Sequence, residues 1–224
     1  GTWCCFDGSS KGNLHIFKPS SMDWSNFHWI CIQYSNPSMA VRYDVMRITK
    51  VTTRNGDGGK TNLAKGESVL KSDNIIHCLG EVDELSSTIG VCLSFSQNSD
   101  ITEFLKKIQN NLFDLGGHIS MNLEDNSIIN ENMISDLEDQ INYLNKDLEP
   151  LKEFILPSGD NFSSNLHLAR AITRRAERSA VTLYNNSLDN NPVIMYLNRL
   201  SDYFFVLSRY HNKQNNIPEN TWQR

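Results

Sequence analysis

Arg170, Arg174 and Glu177 stand at positions i, i+4 and i+7 of a stretch with helical periodicity, so the three share one helical face, and Arg178 extends the line. Guanidinium groups in such a row suit a bidentate grip on phosphate or carboxylate oxygens. The same pattern also fits a solvated basic face with an Arg174–Glu177 pair, which would contribute little to stability. The other side of this helix, Ala169, Ile172, Ala176 and Ala180, is apolar and close-packing. A second polar pair, Asn198 and Asp202, lies at i, i+4 within a helix whose Leu197, Leu200, Phe204 and Leu207 form a core stripe. Polar groups at such places need a partner or a function. A helix–helix hydrogen bond would satisfy that need as well as a ligand would.

The third feature is the glycine-rich run Arg54-Asn55-Gly56-Asp57-Gly58-Gly59-Lys60-Thr61. Successive glycines let backbone amides approach an anion closely. Lys60, Thr61 and the later Lys71 add positive charge and a hydroxyl. Gly59-Lys60-Thr61 is not a P-loop: that pattern needs a glycine five residues before Gly59, where the chain has Arg54. Gly-Asp-Gly-Gly is also an ordinary turn sequence, and both readings stay open on the loop alone.

Other chemistries find little footing. The histidines His15, His28, His77, His118, His167 and His211 are scattered, and no Glu-x-x-His pair of a di-iron bundle occurs, so no metal site is assigned. A Gly-x-Ser-x-Gly nucleophile elbow is absent. The net charge of −5 argues against a nucleic-acid binder, and no apolar run approaches bilayer-spanning length. The cysteines Cys4, Cys5, Cys31, Cys78 and Cys92 are odd in number and include no CxxC pair; Cys78 and Cys92 fall in apolar helical patterns, which points to buried free thiols and a reducing compartment.

The elements that must position these residues are helices. Patterns run from about 74 to 95, with Val82, Leu85, Ile89 and Cys92 on one stripe, and from Asp100, where Asp100 and Glu103 fit a capping box. A third carries Ile134, Leu137, Ile141, Leu144 and Leu148 and is expected to end at Pro150. A fourth spans about 163–184, and a fifth starts at Asn191 as N-cap with Pro192 in the first helical position and runs to about 212. The expected fold is all-α: a five-helix bundle with ferritin-like-type up-and-down packing, little sheet, an N-terminal Gly-rich loop and an irregular N-terminal arm. Expected boundaries are an extension, transit or arm segment over 1–46, the bundle over 47–214, and a polar tail over 215–224 that frays. Residues 47–53 have some β-like alternation, and no internal repeat is evident.

Taken together, five segments in order resemble the PduO-type ATP:cob(I)alamin adenosyltransferase family, over about 47–212. These are the run from Thr53 to Thr61, Gly80-Glu81-Val82-Asp83-Glu84-Leu85, Phe154-Ile155-Leu156-Pro157-Ser158-Gly159, Arg174-Arg175-Ala176-Glu177-Arg178, and Tyr196-Leu197-Asn198-Arg199-Leu200-Ser201-Asp202. Ser86, Ile75 and Ser158 depart from the Asn, Arg and Gly common in the family. The resemblance implies transfer of the 5′-deoxyadenosyl group of ATP, bound with Mg²⁺, to the Co(I) of cob(I)alamin, with triphosphate released. It implies a homotrimer with ATP between subunits. Thr53, Arg54, Gly56, Lys60, Thr61 and Lys71 would lie along the nucleotide, with Arg174, Glu177 and Asn198 completing the site from the neighbouring chain. Arg170 would pair with Asp83 across the interface, and Phe154 would pack below the corrin ring. A corrinoid reductase and an adenosylcobalamin-dependent mutase would be partners; neither nucleic acid nor membrane would be. The arm suggests a mitochondrial matrix protein if the source is eukaryotic, and a cytoplasmic one otherwise. The alternative is a non-catalytic helical-bundle scaffold or corrinoid carrier, which would lack the triphosphate site.

Overall fold

The structure, a computed structural model, describes residue 54 and residues 56–121, 128–185 and 187–223. The arm, the β-like stretch 47–53 and Thr53 lie outside the described residues, as do Cys4, Cys5 and Cys31. The chain forms two compact units, Gly1–Lys71 and Ser72–Arg224.

The described part of the first unit is the glycine-rich loop followed by a two-stranded antiparallel hairpin, β1 (Lys60–Asn62) and β2 (Ser68–Leu70), in the register Lys60↔Leu70, Thr61↔Val69, Asn62↔Ser68. The second unit is helical: α1 (Asn74–Phe95), α2 (Ser99–Ser120), α3 (Glu131–Asn145), α4 (Asn161–Leu183) and α5 (Pro192–Gln214). Among the described residues the structure has the expected five helices and little sheet.

Side-chain caps fix the helix starts. Asp73, Asn98, Asn130, Asp160 and Asn191 each accept a backbone N–H from the first turn of α1 to α5 in order. Asn191 with Pro192 opens α5 as the sequence predicts. The second helix differs: Asn98 is the cap, accepting from the N–H groups of Asp100 and Ile101, so Asp100 sits in the first turn instead of capping it. An Asn amide oxygen two residues upstream captures the free amides first. Helix α3 ends at Asn145, well before Pro150.

Packing follows the apolar stripes. Helix α4 lies between α1 and α5, α1 also packs on α2, and α5 on α3. Helix α2 reaches α5 and α3 as well: the Phe104 and Tyr203 rings meet edge to face at 5.2 Å, Asn111 Nδ2 donates to the Tyr196 hydroxyl at 3.2 Å, and Lys107 pairs with Asp136 at 2.6 Å. Leu85, Ile89, Leu105, Ile108, Leu112, Leu115, Leu166 and Phe204 fill the centre. Cys78 and Cys92 are buried free thiols, as their place on the α1 stripe predicts. Burial pushes both up to about 12, with Glu81 adding to the effect at Cys78.

The tail does not fray as its polarity predicts. Beyond α5 the Ile217 N–H donates to the Asn212 carbonyl at 2.8 Å, and Ile155 and Thr221 form an antiparallel bridge. The loop between α3 and α4 therefore has a backbone partner from the end of the chain. Local polarity could not reveal this, because the contacts that hold the tail are long-range backbone ones.

Candidate active site

In the first unit the Gly59 N–H donates to the Gly56 carbonyl at 3.2 Å, and the Lys71 N–H donates to the Gly59 carbonyl at 2.9 Å, closing the loop onto the end of the hairpin. Lys71 then lies against Gly56: a Cβ added there would sit 2.8 Å from the Lys71 ammonium. Gly58 and Gly59 face open space, with nothing within 4 Å of an added Cβ, and Lys60 is exposed. Arg54 has φ 63°, a left-handed backbone that non-glycine residues adopt rarely. Two lysines and an accessible glycine backbone lie together in this loop, the kind of chemistry an anion requires.

In the second unit the expected polar residues gather on α4 and α5. Asn198 Nδ2 donates to Glu177 Oε1 at 3.0 Å across the two helices. Asn198 Oδ1 accepts from Arg199 at 2.8 Å, and Arg199 Nε donates to Glu138 of α3 at 2.8 Å. Glu177 is thus held by Asn198, so the alternative of an Arg174–Glu177 pair is not what forms. Arg174 is exposed, and its guanidinium has no hydrogen-bond or ion-pair partner among the described residues; its carbonyl accepts from Arg178 at 2.9 Å.

Arg170 lies over the Phe205 ring at 5.3 Å, beside the buried His167. Burial, and then the Arg170 charge, hold His167 below its ordinary range. Arg170 makes no ion pair with Asp83 within the chain, and Asp83 is exposed. The acids flanking Asp83 are engaged instead: Arg175 pairs with Glu84 and approaches Glu81 at 4.0 Å, tying α1 to α4. Glu81 Oε2 is buried without a hydrogen-bond partner. Phe154 is 77% exposed on the α3–α4 loop. No group of three or more His, Cys, Asp or Glu that could hold a metal occurs among the described residues, and no helix there is long and apolar enough to cross a membrane.

Sequence reasoning missed two features. One is the Arg175–Glu84 tie; its signal was a basic residue and two acids, Glu81 and Glu84, on helices predicted to pack. The other is Arg209, buried in α5, whose Nε donates to Glu219 Oε1 at 2.7 Å. An Arg on a core-facing stripe needs a carboxylate nearby, and the tail holds one.

The described helices define an all-α protein in which α4 and α5 carry a bonded Glu177–Asn198 pair beside an exposed Arg174. The family model for cobalamin adenosyltransferase matches residues 51–211. The chain is 38% identical over 179 residues to a cobalamin adenosyltransferase of Cupriavidus metallidurans, covering 80% of this chain and 96% of that one. It is 38% identical over 173 residues to the corrinoid adenosyltransferase MMAB of Homo sapiens, covering 73% of this chain and 69% of that one. Among solved structures it resembles a phenylalanine-to-alanine variant of the PduO-type ATP:corrinoid adenosyltransferase of Lactobacillus reuteri complexed with cobalamin and ATP. The TM-score is 0.71 and the identity 34%, over 78% of this chain and 100% of that one. The chain belongs to the cobalamin adenosyltransferase family.

Proposed function

We propose that Thr53, Arg54, Gly56, Lys60, Thr61 and Lys71 of one subunit bind the ATP whose adenosyl group this enzyme transfers, with Arg174, Glu177 and Asn198 completing the site from the neighbouring chain. The reaction is attack of the Co(I) of cob(I)alamin on the 5′-carbon of ATP. Cobalt supplies the electron pair of the new Co–C bond, and triphosphate departs with the pair of the broken C–O bond. The nucleophile is the substrate's own metal, so the chain needs no general base. Its tasks are to orient ATP and to offset the charge that grows on the leaving triphosphate.

The observation that carries this reading is the unpaired, exposed Arg174 beside a Glu177 already held by Asn198. Glu177 turns one oxygen to Asn198 and forms no ion pair with Arg174, whose guanidinium has no partner among the described residues and is available for phosphate oxygens. The lysines of the loop serve the same anion. Mg²⁺ enters with the nucleotide, bound to its phosphates. Phe154 packs against the lower face of the corrin, where an apolar ring keeps an axial ligand away from cobalt.

Arg170 and Asp83, unpaired with each other in one chain, meet across the interface of a homotrimer, which lets neighbouring subunits build one ATP site. Light scattering that found a stable, active monomer would overturn the trimer. A corrinoid reductase and an adenosylcobalamin-dependent mutase are the partners that supply the substrate and take the product. For a eukaryotic source a mitochondrial address is proposed from residues 1–46, which precede the part matched to the family, and a cytoplasmic one otherwise; imaging the tagged full-length protein in a eukaryotic host tests the first, and a purely cytosolic signal would refute it.

The central test is incubation of the protein with ATP and chemically reduced cobalamin, following the visible spectrum. Adenosylcobalamin and triphosphate should form in equal amounts. Corrinoid binding without ATP consumption would instead point to a carrier, a reading no observation here favours.

A further inference from the structure

The loop carrying Phe154 is fixed along its backbone by the end of the chain. The Leu156 N–H donates to the Asn220 carbonyl at 2.7 Å, the Trp222 N–H donates to the Phe154 carbonyl at 2.7 Å, and Ile155 and Thr221 are bridged between them. The segment 217–223 is held in turn by α5. Arg209 Nε donates to Glu219 Oε1 at 2.7 Å, while Arg209 Nη2 donates to the Glu149 carbonyl at 2.9 Å. One guanidinium, on a side chain only 8% exposed, therefore grips both the tail and the start of the Phe154 loop.

This fastening surrounds a side chain that is itself unpacked. A phenylalanine on a free loop gains by folding back onto the protein. Here the backbone is held on both sides, and the ring stays largely outside. A fixed backbone beneath an exposed ring is an arrangement for presenting the ring to something else.

We propose that segment 217–223 is a strap that sets the position of Phe154, with Arg209 and Glu219 as positioning residues for the corrinoid. The proposal rests on the assignment of Phe154 to the corrin face. Charge-assisted pairs with a guanidinium fork fix direction as well as distance. A misplacement of about 1 Å can cost on the order of a hundredfold in rate, so the strap acts on turnover as well as on loop order.

The test compares full-length Glu219→Gln, Arg209→Lys and Phe154→Ala proteins with a chain shortened to end at Asn216. The readouts are amide hydrogen exchange at Leu156, KM for cob(I)alamin and for ATP, and the spectrum of bound cob(II)alamin, which reports four-coordinate cobalt. Glu219→Gln and the shortened chain should speed exchange at Leu156, raise KM for cob(I)alamin roughly tenfold and reduce the four-coordinate fraction, with KM for ATP within about twofold of normal. Arg209→Lys should retain part of the effect on both. If Phe154→Ala alters the corrinoid readouts while Glu219→Gln and the shortened chain speed exchange but leave them unchanged, the strap does not position the ring and the proposal is wrong. If Phe154→Ala itself changes nothing, the assignment of Phe154 fails and the strap's role fails with it. Should the shortened chain not fold, Glu219→Gln, which removes a charge at almost constant volume, decides alone.

Discussion

Asn198 and Glu177 are joined by a 3.0 Å hydrogen bond across the α4–α5 seam, and Arg174, three residues before Glu177, takes no part in it. On the sequence, Glu177 is the nearest acid on the Arg174 face. In the fold its carboxylate is committed to Asn198, and the Arg174 guanidinium has no protein partner among the described residues.

Replacing Arg174 with Ala should cost roughly 3 kcal/mol of transition-state stabilisation, about a hundredfold in turnover. The lost contact strengthens as charge develops on triphosphate. Arg174→Lys should recover little, because a point charge cannot reproduce a bidentate fork. Steady-state adenosylation by folded protein at saturating ATP measures this. Near-normal turnover of both variants would make Arg174 a plain surface charge.

Asn198→Ala releases Glu177. The freed carboxylate can then compete with phosphate for Arg174, so KM for ATP should rise on the order of tenfold, the scale of one lost polar contact to a charged group. A double-mutant cycle with Glu177→Gln checks the coupling. Strictly additive effects of the two changes would show that the bond does not matter to the site.

Gly159 ends the Phe154 loop with φ 126°, and a Cβ there would collide with Ser163 Oγ and lie 2.6 Å from Asn212 Oδ1. Gly159→Ala should destabilise the protein by roughly 2 kcal/mol or more, from backbone strain plus overpacking. Urea unfolding monitored by circular dichroism measures it, and an unchanged midpoint would contradict the geometry.

Acid should weaken the fold in two windows of the same sign. Burial and the Arg170 charge hold His167 below its ordinary 6.5. Burial alone would raise the Asp160 carboxyl, but hydrogen bonds from His211 and from the Ser163 N–H, with the His211 charge, outweigh it and hold the group below 3.8. In both cases the unfolded chain takes up protons first, so stability rises with pH. The His167 contribution is complete above about 6.5 and is lost as pH falls through its depressed folded value; the Asp160 contribution follows below about 3.8. Urea midpoints between pH 8 and 3 should fall in wild type, and His167→Gln should lack the upper decline. Parallel curves for the two proteins would remove His167 from this account.

The helices were legible because each carries its own instructions: a stripe such as Val82, Leu85, Ile89 and Cys92 and a cap such as Asn191 with Pro192 lie within a few residues of what they determine. The polar faces were legible for the same reason, since Arg170, Arg174 and Glu177 share a face by helical geometry alone. What spacing could not reveal was pairing between distant segments. Spacing offered Arg174 as the partner of Glu177, and only the approach of α5 brings Asn198 to it. The tail read as loose because its polar residues lack periodicity, while its order comes from backbone contacts to residues 154–156 and from Arg209. The capping box read at Asp100 gives way to Asn98, whose side chain accepts from the Asp100 and Ile101 amides, a choice that rests on a turn of backbone that composition does not encode.

The backbone pairing of Phe154 with Trp222 also orders events in time. During synthesis the N-terminal parts of a chain emerge and begin to fold first. The Phe154 loop, made well before Trp222, therefore has no backbone partner of this kind until the residues that follow α5 have been synthesised.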